Sequence, residues 1–215
     1  MSSSDEVRVD AGGVTLEGNL LVPPGATGLV LFAHGSGSSR FSSRNRYVAQ
    51  ELRNGGLGTL LIDLLTREEE AVDMRTAHLR FDIDLLAGRL VDAVAWLSEQ
   101  DATHDLRVGM FGASTGGGAA LVAAARVPDR VAAVVSRGGR PDLAGPALPK
   151  VKAPTLLIVG GDDVPVIGMN REAYDRLTCE RRMEIVPGAS HLFEEPGTLE
   201  RVAELARDWF TRYLR

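Results

Sequence analysis

The sequence of 215 residues has little cysteine, no excess of positive charge and no long hydrophobic run. Cys179 is the single cysteine, so the chain has no internal disulfide. A net charge of -5 predicts no basic surface for nucleic acid or for an anionic membrane. No apolar run approaches the roughly 20 residues of a membrane-spanning helix, and residues 1–6 do not resemble a secretory signal. We therefore expect a cytoplasmic protein without nucleic-acid or membrane partners.

Repeats, low-complexity tracts and linkers are also absent, so we expect residues 1–215 to form a single domain. A chain of this length can bury a hydrophobic core without help from metals or disulfides. Its 44% hydrophobic and 25% charged residues are ordinary proportions for a globular protein. The histidine, cysteine and carboxylate residues show no metal-ligand spacing, so the sequence implies no metal and no organic cofactor.

One stretch carries a motif with a chemical meaning, the sequence Gly-Ala-Ser-Thr-Gly at residues 112–116. A short apolar run ends at Gly112, and an Ala-rich helical stretch begins directly after Ser114. A strand that becomes a helix within one residue must bend sharply, and the bend exposes the side chain at its centre. The stretch therefore fits a nucleophile elbow with Ser114 as the nucleophile, and the N–H of Thr115 at the helix start suits an oxyanion. Because such patterns recur by chance in a chain with 24 glycines, the elbow needs support from elsewhere.

The rest of the chain alternates apolar strands with helical patterns, after a hairpin that turns at Gly12 and Gly13. This alternation predicts an α/β fold in three layers, with a mostly parallel eight-stranded sheet, helices on both faces and an antiparallel hairpin edge. The polar residues 67–70 are expected to form a solvated loop. The predicted strands are 7–10, 14–22, 28–33, 57–63, one ending at Gly112, 131–136, 154–160 and 182–186, and the predicted helices include 43–54, 77–99 and 199–213.

A serine nucleophile requires a general base, and the chain offers four histidines. His191 follows the eighth predicted strand, at the same edge of the sheet as the elbow. His34 lies at that edge too, but within its His-Gly loop it is expected to brace the backbone through a hydrogen bond. His104 precedes the fifth strand at the opposite edge, and His78 stands at the start of the long helix. We therefore expect His191 to be the base.

An acid that orients the imidazole is expected at the end of another strand, and both Asp162 and Asp163 follow the seventh. One of them can cap the next helix by accepting a backbone N–H bond, while the other serves His191. The spacing alone leaves this choice open.

The chain order of Ser114, an aspartate and His191, after strands five, seven and eight, resembles the α/β-hydrolase superfamily. Within it, the chain is similar to the small lidless serine hydrolases of the dienelactone-hydrolase-like group. The resemblance covers nearly the whole chain. In this group the acid stands in a Gly-Gly-x-Asp motif, which matches residues 160–163 and implies Asp163.

The resemblance has two further implications. The second oxyanion donor of the group is the N–H that follows a His-Gly pair, which implies Ser36 here, with Gly37 as the alternative. True dienelactone hydrolases have a cysteine at the elbow, whereas this chain has Ser114 and its Cys179 lies far along the sequence. The resemblance therefore does not imply a dienelactone substrate.

The segment between the sixth and seventh strands is too short for the cap domain of many relatives, so we expect an open, shallow site that accepts varied acyl groups. Arg137 lies at the end of the sixth strand, beside the expected position of an ester. It is a candidate substrate-binding residue for a carboxylate or phosphate. The alternative is a structural ion pair with Asp142 or Asp163.

These residues predict a serine esterase that cleaves carboxylic esters or thioesters of small molecules through an acyl-enzyme intermediate. The predicted catalytic residues are Ser114, Asp163 and His191, and the predicted oxyanion-hole donors are Ser36 and Thr115. A non-catalytic binding module of the same fold is the main alternative, although such modules usually lack a triad member. A phosphate-binding protein is disfavoured, because the glycines of 112–118 lack the Lys-Ser/Thr ending of a P-loop.

Overall fold

The computed structural model describes residues 5–215. Residues 1–4, which belong to the predicted single domain and to the segment that does not resemble a secretory signal, lie outside the described residues. The strands are β1 (Asp5–Asp10), β2 (Thr15–Leu21), β3 (Leu29–Ala33), β4 (Gly58–Ile62), β5 (Val108–Ala113), β6 (Val131–Arg137), β7 (Thr155–Gly160) and β8 (Arg181–Val186).

These strands form one eight-stranded sheet in the order β1-β2-β4-β3-β5-β6-β7-β8. β1 and β2 form an antiparallel hairpin whose turn contains Gly12 and Gly13, both with positive φ. β2 also pairs antiparallel with β4, and every other neighbouring pair is parallel. The predicted sheet, with a hairpin at one edge, is confirmed.

The helices cover both faces of this sheet, and the core is divided accordingly. All residues of β3, β4, β5 and β7 are buried, as expected of strands with apolar side chains on both faces. One face packs mainly against α3, α4 and α5, and the other against α1 and α6. No helix within residues 5–215 has the length and apolar character to cross a bilayer. The helices are α1 (Ser43–Asn54), α2 (Arg67–Thr76), α3 (Ile83–Leu97), α4 (Thr115–Arg126), α5 (Val164–Arg176) and α6 (Thr198–Tyr213).

The prediction of a solvated loop at residues 67–70 is wrong, because these residues begin α2. The helix starts with a capping box, in which the Thr66 hydroxyl accepts the Glu69 N–H and the Glu69 carboxylate accepts the Thr66 N–H. This reciprocal pair satisfies two backbone donors at the helix start. The Thr-x-x-Glu spacing was a usable signal in the sequence, and α2 matters because it forms one wall of the site.

The predicted helix 77–99 divides into a short 3-10 helix, Leu79–Phe81, and α3. The division has a local cause: Asp82 caps α3 by accepting the Leu85 N–H at 3.0 Å. The segment between β6 and β7 is a kinked 3-10 stretch, Pro141–Lys150, and it contains no cap domain, as predicted.

Candidate active site

Ser114 occupies the sharp bend between β5 and α4 predicted from the motif. Its backbone has φ 50 and ψ -123, a left-handed conformation that L-residues avoid and that costs on the order of 1–3 kcal/mol. Three backbone hydrogen bonds hold this bend: the Ser114 N–H donates to the Arg137 carbonyl at 3.4 Å, and the Ser114 carbonyl accepts from Gly117 at 3.0 Å and Arg140 at 2.9 Å. The side chain is therefore held above the carboxyl end of β5.

The glycines on either side of Ser114 are required by close backbone contacts. A Cβ at Gly112 would lie 2.5 Å from the carbonyl oxygen of Gly116, and a Cβ at Gly116 would lie 2.3 Å from that of Ala33. Both distances are far below van der Waals contact. The small residues of the motif therefore allow the elbow to pack against the end of β3.

His191 and Asp163 meet at the same edge of the sheet. His191 lies in the loop of residues 187–197 between β8 and α6, called here the His191 loop, and its Nδ1 is 2.6 Å from Oδ2 of Asp163. An ionised carboxylate only accepts, so Nδ1 carries the proton and Nε2 is left as a hydrogen-bond acceptor. The Asp163 side chain is mostly buried, whereas 39% of the His191 side chain is exposed. This geometry selects Asp163 over Asp162 as the partner of the imidazole.

Neither aspartate caps α5 with its side chain, although Asp163 occupies the N-cap position. The backbone of Asp162 instead ties the two loops together, because its N–H donates to the carbonyl of Ala189 at 3.0 Å. The sequence predicts that one aspartate caps α5 and that the other contacts His191. In the structure, Asp163 both occupies the N-cap position and contacts His191.

Ser114 and His191 contact neighbouring residues at the end of β6. The Arg137 carbonyl accepts the Ser114 N–H, and the next residue, Gly138, lies beneath the imidazole: a Cβ there would be 3.7 Å from Cε1 of His191 and 3.0 Å from its carbonyl oxygen. The positive φ of Gly138 suits this close approach. Ser114 and the His191–Asp163 pair therefore lie at the same edge of the sheet, on either side of the end of β6.

The oxyanion loop, residues 34–42 between β3 and α1, differs in one respect from the sequence expectation. The Ser36 N–H, the predicted second donor, already donates to the Thr115 hydroxyl at 2.9 Å. A turn closed by the Ser38 N–H and the Gly35 carbonyl at 3.1 Å places Gly37 at positive φ. Within residues 5–215 the N–H groups of Gly37 and Thr115 have no hydrogen-bond partner. The geometry therefore favours Gly37, the alternative donor, over Ser36.

His34 braces this loop, as the sequence analysis expected. Its Nε2 accepts the Leu64 N–H at 3.0 Å, so Nδ1 carries the proton and donates to the Gly35 carbonyl at 2.9 Å. Burial lowers the pKa of His34, although the Gly35 hydrogen bond and nearby carboxylates oppose that effect. Both ring nitrogens are therefore used in hydrogen bonds that stabilise the loop, and the neutral ring is not placed to act as the general base.

A cavity of about 290 Å³ lies between the oxyanion loop and α2. Its apolar lining includes Leu64, Met74 and Leu86, and Thr115 forms the side towards the elbow. On the α2 side, Arg80 Nε donates to the buried carboxylate of Asp73 at 2.5 Å. Burial raises the pKa of Asp73, but hydrogen bonds from Arg80 and Leu79 outweigh burial and hold it below its usual value. The sequence analysis does not predict the wall formed by α2, because its residues are expected there to form a solvated loop.

Both sequence expectations for Arg137 disagree with the structure. Only 5% of the residue is exposed, and it does not line the cavity, so it is not placed to hold a substrate carboxylate. It also forms no ion pair with any of residues 5–215: Asp142 pairs with Arg140 at 2.7 Å, and Asp163 pairs with His191. The reason is strand alternation, which turns the Arg137 side chain into the core between β6 and α1.

No cluster of three or more histidine, cysteine, aspartate or glutamate residues suited to a metal ion occurs in the part of the chain that the structure describes.

Comparison with known proteins identifies the family of this chain. The model of the dienelactone hydrolase family matches residues 16–214. A crystal structure of a dienelactone hydrolase from Anabaena variabilis ATCC 29413 is 65% identical, with a TM-score of 0.97 over 100% of both chains. XC6422 from Xanthomonas campestris, an α/β serine hydrolase without a lid, shares the fold at 20% identity, with a TM-score of 0.77 over 100% of this chain and 96% of its own.

Longer relatives carry a different name. Two Mycobacterium tuberculosis proteins, from strains CDC 1551 / Oshkosh and ATCC 25618 / H37Rv, are 58% identical over 210 residues and have the provisional name phosphoribosyl transferase. The match covers 98% of this chain but 46% of each relative. The chain thus spans about half the length of the curated relatives that it matches.

Proposed function

The chain belongs to the dienelactone hydrolase family, and on that basis we propose that it is a serine hydrolase that cleaves carboxylic esters or thioesters of small molecules. Ser114 is the proposed nucleophile, His191 the general base and Asp163 the residue that orients the base. The observation that carries the proposal is the 2.6 Å contact between His191 Nδ1 and Asp163, at the sheet edge where the strained elbow presents Ser114.

In the first step, the Ser114 hydroxyl attacks the carbonyl carbon while its proton moves to Nε2 of His191. Asp163 stabilises the imidazolium that forms. The carbonyl oxygen becomes an oxyanion, and the proposed donors to it are the N–H groups of Thr115 and Gly37, with Ser36 as the donor that sequence reasoning favours. Removing one such donor typically costs about 3–4 kcal/mol of transition-state stabilisation.

In the second step, the tetrahedral intermediate collapses and the alcohol or thiol leaves with the proton held by His191, so that the acyl group remains on Ser114. A water molecule then gives its proton to His191 and attacks the acyl carbon. The carboxylic acid is released, and the Ser114 hydroxyl regains its proton.

The cavity supports a small-molecule substrate. Its volume of about 290 Å³ suits a small acyl group, and its wall at Thr115 adjoins the elbow. The single cysteine cannot replace Ser114, because Cys179 Sγ lies 3.8 Å from the hydroxyl of Thr155, at the start of β7 and thus at the opposite edge of the sheet. Burial also raises the pKa of the Cys179 thiol, which disfavours the nucleophilic thiolate.

A fluorophosphonate probe together with a short p-nitrophenyl ester tests the proposal. We expect the wild-type chain to hydrolyse the ester and to be labelled at Ser114, and Ser114→Ala to lose both. Ser98→Ala, which changes a half-buried serine at the end of α3, is the control and should retain both. Folded wild-type protein that is neither labelled nor active would favour the non-catalytic binding module.

The provisional name of the mycobacterial relatives suggests phosphoribosyl transfer as an activity of those longer proteins. The ester assay, together with a measurement of pyrophosphate release from phosphoribosyl diphosphate, addresses it for this chain. Ester hydrolysis that depends on Ser114 would assign a hydrolase reaction to the shared half, whereas release of pyrophosphate from phosphoribosyl diphosphate, without Ser114 labelling, would favour the transferase.

A further inference from the structure

Arg137, the last residue of β6, is a buried cation without a carboxylate partner in the part of the chain that the structure describes. Its side chain continues the face of Ala133 and Val135, which packs against α1 and α6. Nη2 donates to Oδ1 of Asn45 in α1 at 3.2 Å, and Nε has no partner. Burial and the nearby Arg44 lower the pKa of Arg137 to about 10, so it stays charged at neutral pH.

The guanidinium also contacts the His191 loop. Its Cζ is 5.8 Å from the centre of the Phe193 ring, within the range of a cation–π interaction. Phe193 is 1% exposed and has φ 55, a backbone conformation that a bulky residue adopts only when its surroundings hold it. His191 lies just two residues earlier in the same loop. Arg137 therefore supports the segment that carries the imidazole.

The backbone of Arg137 links this support to the nucleophile. Its carbonyl accepts the Ser114 N–H, and its register partner in β5 is Ala113, the residue before Ser114. One residue thus connects the elbow, helix α1 and the His191 loop. A buried charge without an ion pair is costly, and an apolar side chain of similar volume would fill this space at lower cost. Packing alone therefore does not account for an arginine at this position.

We propose that Arg137 is a positioning residue, which holds the His191 loop so that the imidazole faces Ser114. The proposal rests on the proposed function and assigns to Arg137 no contact with substrate. A planar guanidinium can face the Phe193 ring and reach Asn45 at the same time, which the point charge of lysine cannot do equally well. Without this support the loop can shift, and a displacement of about 1 Å in a catalytic group can lower the rate about 100-fold.

The test compares Arg137→Met with Arg53→Met. Methionine keeps an unbranched apolar side chain and removes the charge. Arg53 is a matched control, because it is half-buried, has no carboxylate partner within the described residues, and donates to the Thr59 hydroxyl at 2.9 Å. For a neutral p-nitrophenyl ester, we expect Arg137→Met to lower kcat about 10- to 100-fold with KM changed less than about twofold. Labelling of Ser114 by a fluorophosphonate should slow by a similar factor, and Arg53→Met should change neither.

Phe193→Leu tests the same contact from the other side and keeps the proposal open to refutation if Arg137→Met fails to fold. We expect it to lower kcat to a similar extent, and the double variant to fall little further, because the two residues act through one contact. Arg137→Lys should restore only part of the lost rate.

Three outcomes would overturn the proposal. Wild-type kcat in folded Arg137→Met or Phe193→Leu would show that the contact does not position the base. A loss confined to esters that carry a free carboxylate would make Arg137 a substrate contact instead. Wild-type protein without any hydrolysis or labelling would refute the proposed function and, with it, the positioning role. Activity that is lost in Ser114→Ala but kept in Arg137→Met would refute the positioning role alone.

Discussion

The two loops that flank the elbow are anchored by buried arginines in opposite ways. The oxyanion loop ends near Arg40, which is 8% exposed and pairs with the carboxylates of Asp63 and Glu17. The His191 loop rests on Arg137, which is 5% exposed, has no carboxylate partner within residues 5–215 and faces Phe193. Two arginines of similar burial therefore differ in that Arg40 is paired with carboxylates and Arg137 is not.

Burial alone therefore does not determine the role of an arginine. Arg40 is compensated: its charge is matched by acids on β2 and after β4, so its role in joining these elements is complete without any ligand or reaction. Arg137 is not compensated, and its contacts are an amide and an aromatic ring. The first arrangement is expected to affect stability, and the second to affect the rate of the proposed reaction.

The largest effect is expected from the carboxylate that orients the base on the His191 loop. Asp163→Asn should lower kcat by about 10³- to 10⁴-fold, because an amide can donate to Nδ1 and leave the imidazole in the wrong tautomer. Asp162→Asn is the matched control beside it and should keep kcat within about threefold. Ester hydrolysis by both variants identifies the acid, and an equal loss in the two would contradict the assignment of Asp163.

The next prediction compares the free energies of unfolding of variants at Arg40 and Arg137. Arg40→Met leaves the carboxylate of Asp63 without its charged partner, so we expect the free energy of unfolding to fall by about 2–3 kcal/mol. Arg137→Met leaves no carboxylate unpaired and should change it by less than about 1 kcal/mol. Urea unfolding of the two variants measures the difference. If Arg137→Met were the more destabilising of the two, the contrast between the loops would be mistaken.

A smaller effect concerns the oxyanion loop itself. Thr115→Val removes the hydroxyl that accepts the Ser36 N–H, which frees that N–H and loosens the turn presenting Gly37. We expect kcat to fall about tenfold, less than the 10²- to 10³-fold loss that follows removal of a direct donor. Thr115→Ser keeps the hydroxyl and should remain close to wild type. A higher kcat in Thr115→Val would instead identify Ser36 as the oxyanion donor.

The fold could be predicted from the sequence because it depends on patterns that are local. Buried strands appear as apolar runs, and α1 begins and ends at the predicted residues, Ser43 and Asn54. The elbow can also be predicted from a local pattern, because glycines two residues before and after Ser114 allow the sharp bend at that serine. The helix α2 is not predicted although its capping box is present in the sequence, because a run of charged residues is also typical of a solvated loop.

The role of Arg137 could not be predicted from the sequence, because it depends on distant partners. Its hydrogen-bond acceptor lies on α1 and its aromatic neighbour lies in the His191 loop, far apart along the chain. Strand alternation alone indicates that residue 137 faces the core side opposite to Ser136, but not that a charge there lacks an acid. The choice between Ser36 and Gly37 is of the same kind, since the Thr115 hydroxyl decides it.

The smallest expected effect is a pH dependence of stability in the oxyanion loop. Burial lowers the pKa of His34 in the folded chain below the usual value near 6.5. The unfolded chain then binds a proton that the folded chain does not, so the free energy of unfolding falls as the pH drops below about 6.5, by at most about 1.4 kcal/mol per pH unit.

His34→Gln should lower the free energy of unfolding at pH 7 but flatten its slope between pH 6.5 and 5, because the substitution removes the titrating group. Thermal unfolding at several pH values tests this, and an unchanged slope in His34→Gln would mean that another group causes the acid sensitivity.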